Sequence, residues 1–458
     1  MHVGWISIVD LPPGSAGLDT CLLTDRIEAR LHLAPRFRQR VVKVPLSVNE
    51  PVWQDVADFD VAEHVRSEGN GRLDRDGLRA VADRFLSRPL DRGRPLWEIL
   101  VVPRLSGGRA ALLGKVHHAM VDGVAAVELG MLMFDVGDDQ ERPSAVDWSP
   151  AAPDGPVRLA DDSIADIALD QFRAARRAVS MARSPARTLR IADTLRRAAL
   201  SLAEDALRPA HDSYLNVPIG PGRTLVTHRV PLSRMLELRR RLGVTLNDVT
   251  LTVCAGALRR FAARRGDEAR DLRVMVPVSV RDAADDPAQG NRITFAFMDL
   301  PVSRPRSADR LAAVVEQMAD LKTSGRISGS ATLLQGMGAL PEPLKERAAR
   351  LAVSPRLYNL TISNLPGPRV ALHAAGAQVR SIYPVIPIPD RHALAIGVLT
   401  YGDHAHFGLH ADPSVLPRIG GLPVMLDDAL AELELGSRRA AWPPRPAPRP
   451  ARARARTA

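Results

Sequence analysis

The sequence has few cysteines and few aromatic residues. Its two cysteines, Cys21 and Cys254, cannot build a disulfide framework, so the composition fits a reducing compartment. Aromatic residues make up only 4% of the 458 residues, and we therefore expect a core of Leu, Val, Ala and Ile. There is no basic-then-apolar signal peptide, and no run of about 18 uncharged apolar residues that would predict a transmembrane helix. We expect a cytoplasmic protein, with peripheral attachment to the inner face of the membrane as the alternative.

A formal net charge of +10 would ordinarily suggest a nucleic-acid partner. Much of that excess lies in the tail at 437–458, which is rich in Arg, Pro and Ala and contains no acidic residue. Such a composition without apolar periodicity is typical of a disordered extension. We therefore expect a solvated tail and no nucleic-acid partner, and attachment of the tail to anionic lipid or nucleic acid is the alternative.

The chain exceeds the length at which a single core usually stops growing, roughly 250–300 residues, so we expect more than one domain. Helical and strand-like patterns interleave in both halves, which indicates the α/β class. The patterns and composition predict an N-terminal domain at 1–150, a linker with a basic helical crossover at 151–215 and a C-terminal domain at 216–436. The basic amphipathic segment within the crossover is either a helix pair between the domains or a helix on an anionic membrane surface.

The stretch "KVHHAMVDGV" at 115–124 carries the strongest chemical signal. It ends the second of two strand-like runs, "WEILVVPRL" and "AALLGKVHHA", which the turn "SGGR" joins into a predicted hairpin. Successive side chains of a strand point to opposite faces, so His117 and His118 are expected to point apart. The two histidines can then hardly bind one metal ion, and nothing nearby has the spacing of a third ligand. We expect no metal site here.

Asp122 and Gly123 follow the histidines at turn-like spacing. A turn at a strand end can hold a neutral imidazole in one tautomer, which is what a general base requires. The alternative is a structural histidine pair whose ring nitrogens bond to the backbone.

"HHAMVDG" resembles the HHxxxDG motif of the CoA-dependent acyltransferase superfamily, which includes chloramphenicol acetyltransferase and the condensation domains of nonribosomal peptide synthesis. Over roughly residues 1–435 the chain resembles the bacterial wax ester synthase/diacylglycerol acyltransferase family. Further motifs occur in the order typical of that family: "PLDRGRPLWEILVV", "TLNDVTLTVCAGALR", "MVPVSVR", "GNRITFAF", "SNLPGP" and "YGDHAHFGLHAD".

The resemblance implies two chloramphenicol-acetyltransferase-like domains, with mixed sheets flanked by helices and an active-site tunnel between them. It implies transfer of a fatty acyl group from acyl-CoA, as a substrate, to a diacylglycerol or a long-chain alcohol, without a cofactor. His118 is then the general base and His117 a support. Family members normally carry a longer segment before the strand at "MHVG", so we expect a truncated opening of the first domain.

The resemblance also implies that Asp122 is structural and pairs with Arg281 from the second half, whereas the alternative places Arg281 on the surface. Four polar residues are candidates for substrate or oxyanion binding, with helix capping or turn formation as the alternative: Asn247, Asn291, Ser363 and Asn364. Three alternating histidines, His404, His406 and His410, are expected on a surface strand rather than in a zinc site.

Two other functions compete with acyl transfer from CoA. One is the same chemistry on a carrier-protein thioester, as in condensation-type acyltransferases. The other is a non-catalytic protein of the same fold that binds a membrane or a lipid droplet through the basic helices and the tail.

Overall fold

The structure is a computed structural model. It describes the following residues: 2–45, 50–69, 71–120, 130, 132–137, 148–152, 155, 158, 176, 209–279, 293–323, 347, 350–351 and 353–439. The predicted crossover at 151–215 therefore lies almost entirely outside the described residues.

The described residues form fifteen strands and six α-helices. The strands are β1 (His2–Asp10), β2 (Gln39–Val42), β3 (Val52–Asp55), β4 (Val65–Ser67), β5 (Trp97–Leu105), β6 (Arg109–His117), β7 (Asp135–Val136), β8 (Thr224–Pro231), β9 (Leu272–Ser279), β10 (Ile293–Leu300), β11 (Leu360–Pro366), β12 (Leu372–Ala374), β13 (Ala377–Val385), β14 (Leu394–Tyr401) and β15 (His404–Ala411). The helices are α1 (Thr20–Arg30), α2 (Arg75–Ser87), α3 (Leu232–Leu242), α4 (Leu246–Arg265), α5 (Ser307–Thr323) and α6 (Leu422–Arg439).

The first sheet has seven strands in the order β4-β5-β6-β1-β13-β12-β7. Strand β1 pairs antiparallel with β6 on one side and with β13 on the other. Because β12 and β13 lie late in the sequence, the second half of the chain supplies two strands of the first sheet. Strands β5 and β6 form the predicted hairpin, and its turn contains Gly107 and Gly108 at φ angles of 79° and 67°.

The second sheet has six strands in the order β10-β9-β11-β14-β15-β8. Its pairs are mixed, since β11 runs parallel to β9 and β14 whereas β15 runs antiparallel to β14 and β8. One face of this sheet packs under α3, α4, α5 and α6, and Val253, Ile396 and Phe407 belong to the resulting core. The sheets flanked by helices agree with the predicted α/β class.

The other face of the second sheet meets the first sheet at β13. Gly397 of β14 and Gly408 of β15 are paired, and both lie against Pro384. A Cβ atom on Gly408 would lie 1.9 Å from the carbonyl oxygen of Pro384, so only glycine fits without backbone movement. This close approach joins the two sheets.

Helix α2 makes a second junction between the halves. The carboxylate of Asp83 accepts hydrogen bonds from the hydroxyl of Thr224 at 2.9 Å and from the backbone N–H of Leu225 at 3.1 Å. The hydroxyl of Ser87 accepts one from the backbone N–H of Arg223 at 2.8 Å. These contacts dock α2 onto β8, the edge strand of the second sheet.

The three histidines of β15 correct one expectation. They alternate on one face, as predicted, but that face is turned toward the first sheet. His406 and His410 are only 1% and 5% exposed, so the prediction of a surface strand is wrong. The reason is that β13 covers β15, which the local pattern of β15 does not indicate.

Candidate active site

Strand β6 ends between the two histidines. His117 is its last residue, and His118 begins a short 3-10 turn, His118–Met120, that the fully buried Met120 anchors. His117 lies opposite His2 in the pairing of β6 with β1, and the two imidazole rings meet edge to face at 6.2 Å between centroids. The ring of His118 is exposed. The structure thus gives the two side chains different surroundings, with His117 partly buried at the end of β6 and His118 exposed on the turn that follows.

The ring of His117 is engaged within the protein. Its Nδ1 accepts a hydrogen bond from the backbone N–H of Ala119 at 3.2 Å, and its own backbone N–H donates to the carbonyl of Leu96 at 2.9 Å. Burial lowers the pKa of His117 to about 4, so this ring is neutral at pH 7. His117 therefore braces the end of β6 and the turn that carries His118.

His2 forms a second neutral ring beside His117. Its Nε2 accepts a long hydrogen bond, 3.4 Å, from the backbone N–H of Leu90. Burial lowers the pKa of His2 to about 3. The first strand of the chain therefore helps to fix the histidine segment.

Trp97 supports the same strand end from β5. It is 1% exposed, lies opposite Val116 of β6 and donates from its indole nitrogen to the carbonyl of Phe37 at 2.8 Å. The ring of His64 stacks on it at 4.6 Å between centroids, and Nδ1 of His64 contacts the Trp97 carbonyl oxygen at 2.8 Å. The "PLW" part of the motif segment "PLDRGRPLWEILVV" thus packs beside the histidine strand.

A cavity of about 210 Å³ lies beside this stack. Nine residues line it, among them His64, Leu90 and Trp97, but neither His117 nor His118 is one of them. The cavity is therefore separate from the exposed ring of His118.

The start of helix α4 shows which residue caps the helix. Its N-cap is Thr245, whose hydroxyl accepts from the backbone N–H of Asp248, while the Asp248 carboxylate accepts from the N–H of Thr245. This capping box satisfies the helix end without Asn247. The side chain of Asn247 instead accepts a hydrogen bond from the amide of Asn364 at 3.4 Å.

Ser363 and Asn364 are neighbours on β11 and so face opposite sides of the second sheet. Asn364 reaches the N-terminus of α4, whereas Ser363 is 4% exposed and pairs with Gly397 on the side turned toward the first sheet. The structure therefore brings Asn247 and Asn364 together and places Ser363 apart from both.

Four further candidates lie outside the described residues: Asp122, Gly123, Arg281 and Asn291. The pairing of Asp122 with Arg281 accordingly stays a prediction. Within the described ranges, no group of three or more His, Cys, Asp and Glu residues has the arrangement of a metal site.

Lys115 lies at the same strand end, and no sequence motif indicates a role for it. It is 1% exposed and hydrogen-bonds to the end of α2. Its only signal in the sequence is a single charged residue between the apolar run of β6 and the histidines.

The chain matches known proteins along most of its length. The model of the wax ester synthase/diacylglycerol acyltransferase catalytic domain matches residues 1–250, and the model of the C-terminal domain of that family matches residues 289–434. The chain is 32% identical over 446 residues to the probable diacylglycerol O-acyltransferase tgs1 of Mycobacterium tuberculosis, with 96% of this chain and 92% of the relative covered. It is also 32% identical over 443 residues to tgs2 of the same organism, with 95% and 94% covered.

Solved structures agree with these sequence matches. The wax ester synthase/diacylglycerol acyltransferase of Marinobacter aquaeolei VT8 superposes with a TM-score of 0.66 at 25% identity, over 95% of both chains. The first condensation domain of the calcium-dependent antibiotic synthetase superposes with a TM-score of 0.57 at 17% identity, over 95% of this chain and 91% of that one, which shows a shared fold.

The fold and the matches to the family model, the relatives and the solved structure show the class of enzyme: the protein is an acyltransferase. The chain belongs to the wax ester synthase/diacylglycerol acyltransferase family. The predicted family and the predicted enzyme class are confirmed. No helix among the described residues is both long and apolar enough to cross a bilayer.

Proposed function

We propose that the protein transfers a fatty acyl group from acyl-CoA to a diacylglycerol or a long-chain alcohol, forming triacylglycerol or wax ester, with His118 as the general base. The observation that carries the assignment of the base is the contrast between the two histidines. The ring of His118 is exposed at the end of β6, whereas the ring of His117 packs against His2 and bonds to the adjacent turn.

The chemistry requires a base that can reach the acceptor hydroxyl. A ring nitrogen of His118 accepts the hydroxyl proton while the oxygen attacks the carbonyl carbon of the thioester. The tetrahedral intermediate then collapses, the carbon–sulfur bond breaks, and CoA leaves as a thiolate that takes the proton back from the imidazolium. Proton transfer by a positioned base contributes about 10²–10⁴-fold to such rates.

The remaining site residues have supporting roles in this proposal. Asp122 and Gly123 hold the turn after His118, and Arg281 is the partner of Asp122. The amide pair of Asn247 and Asn364 is a candidate for contact with the substrate. Two further residues, Ser363 and Asn291, are candidate donors to the oxyanion or the acyl carbonyl.

We further propose that the enzyme meets its lipid substrates at a membrane or lipid-droplet surface from the cytoplasmic side. A diacylglycerol partitions into lipid, so the acceptor must be taken up from such a surface. The basic composition of the segment at 164–208 and of the tail at 437–458 supports electrostatic attachment to anionic lipid.

The test is product analysis with palmitoyl-CoA and an equimolar mixture of hexadecanol and dipalmitoylglycerol. The wild-type protein should form ester, and His118→Ala should reduce the rate by about 10²–10⁴-fold without a change in the unfolding midpoint. His211→Ala, at another exposed histidine, is the matched control and should remain active. Near-normal turnover by His118→Ala would contradict the assignment of the base, and ester formation from a palmitoyl carrier protein alone would contradict the assignment of the donor.

A further inference from the structure

Lys115 is a fully buried cation at the strand end that carries the proposed base. The residue is 1% exposed, and its Nζ donates to the carbonyl oxygens of Phe85 at 2.9 Å and of Arg88 at 2.7 Å. A carboxylate oxygen of Glu98 lies 3.4 Å away, and the ammonium also lies 4.5 Å from the centre of the Phe85 ring. The ammonium thus has two hydrogen-bond acceptors and one carboxylate partner, and its side chain is fully buried.

Stability alone does not require a charge at this position. Burial lowers the pKa of Lys115, and the attraction of Glu98 opposes that shift. Replacing a buried ion by an apolar residue of similar volume is often neutral or stabilising, because the ion loses its hydration. The ammonium differs from an apolar side chain in one respect, since it fixes the direction and distance of its carbonyl partners.

The partners of Lys115 show which parts it joins. Phe85 lies in the last turn of α2 and Arg88 is the C-cap of that helix, so the ammonium binds the carbonyl end of α2, where the helix dipole favours a positive charge. Lys115 itself lies on β6 two residues before His117 and three before His118.

The same helix docks on the second half of the chain. Asp83, one turn before the C-terminus of α2, binds Thr224 and Leu225 of β8. Leu225 also belongs to a hydrophobic cluster with Phe85 of α2 and Leu113 of β6. A continuous line of contacts therefore leads from β8 through α2 to Lys115 and the end of β6.

We propose that Lys115 is a positioning residue for His118. Its ammonium ties the end of β6 to the end of α2, and α2 is tied through Asp83 to β8. The base from the first half and the groups that the second half contributes to the substrate site thereby keep one relative position. This inference rests on the proposed role of His118 as the base.

The test compares Lys115→Met with Arg310→Met in the full-length protein. Arg310 is the matched control, because it is also 1% exposed and binds two backbone carbonyls and one glutamate, but joins helices at the far side of the second sheet. Lys115→Met should lower kcat by about 10²-fold, the loss expected from a displacement of about 1 Å, with a smaller change in KM for palmitoyl-CoA. Arg310→Met should lose stability without a comparable loss of kcat.

A second variant keeps the test decisive if Lys115→Met does not fold. Asp83→Ala breaks the same line at β8 and should lower kcat in the same direction, and Lys115→Arg should retain more activity than Lys115→Met. Where Lys115→Met and Asp83→Ala both fold, the fold decrease of kcat in the double variant should be smaller than the product of the two single decreases.

Equal kcat losses in Lys115→Met and Arg310→Met would overturn the inference, as would a folded Lys115→Met or Asp83→Ala within about twofold of wild-type kcat. An inactive His118→Ala together with an active Lys115→Met would overturn the positioning role alone. An active His118→Ala would overturn the assignment of the base instead.

Discussion

The indole ring of Trp5 occupies the space that a side chain at Gly114 would fill. The two residues lie opposite each other in the antiparallel pair of β1 and β6. A Cβ atom built on Gly114 would lie 2.1 Å from two ring carbons of Trp5, well inside van der Waals contact. Trp5 and Gly114 therefore act as one packing unit, four residues before the proposed base.

Gly114→Ala should destabilise the protein by about 1–3 kcal/mol, because the added methyl group overpacks a filled position. Adding Trp5→Leu in the double variant should recover part of that loss by making room for the methyl group. Urea unfolding of the single and double variants measures both effects. Gly71→Ala is the control, since a Cβ atom there would meet nothing within 4 Å. An unchanged unfolding midpoint in Gly114→Ala would contradict the close packing.

Acid should destabilise the protein through the buried histidines of β15. Burial lowers the pKa of both His406 and His410 to about 4. The unfolded chain, with histidine pKa near 6.5, therefore binds more protons than the folded protein between about pH 6.5 and 4. The free energy of unfolding should fall as the pH falls through this window, by up to about 1.4 kcal/mol per pH unit for each histidine.

His410→Asn tests the contribution of one of these histidines. Nδ1 of His410 contacts the carbonyl oxygen of Ile386 at 2.7 Å, and an asparagine amide can make the same contact. The variant should show a shallower decrease in unfolding free energy between pH 7 and 5. Comparison at pH 8, where the histidine is neutral in both states, isolates the other effects of the substitution. An identical pH slope in variant and wild type would count against the burial effect.

Substitutions at the start of α4 should separate helix capping from substrate binding. Thr245→Ala removes the N-cap hydroxyl and should cost about 1 kcal/mol of stability. Asn247→Ala leaves the capping box intact and should change stability by less than about 0.5 kcal/mol, while raising KM for the acyl donor or acceptor. Urea unfolding and initial rates measure both variants. A large stability loss in Asn247→Ala would indicate a structural role instead.

The local patterns of the sequence predict most of the elements around the site. The hairpin of β5 and β6, the strand that ends at the histidine pair, and the helix that begins after Thr245 all depend on contacts within a few residues. Such features follow from periodicity, capping and turn chemistry, and are accessible without tertiary information.

Other features depend on partners that are distant in the sequence. The burial of His406 and His410 results from β13 lying across β15, so alternation alone could not reveal it. The carbonyl acceptors of Lys115 belong to Phe85 and Arg88 at the end of α2, 30 and 27 residues away, and a lone lysine in a strand gives no sign of them. The sequence could not show whether Asn247 caps the helix, because that depends on the observed cap at Thr245.

The pairing of β1 with β13 sets an order for folding during synthesis. Gly4, near the start of the chain, pairs with Val385, so the first sheet cannot be completed until the ribosome has passed that position. At roughly 5–20 residues per second, the first strand waits for tens of seconds with one edge unpaired. An unpaired edge is a template for association with other chains. The nascent N-terminal half therefore carries an open strand edge that can associate with other chains, and an isolated fragment of residues 1–150 would lack the β13 partner of that edge.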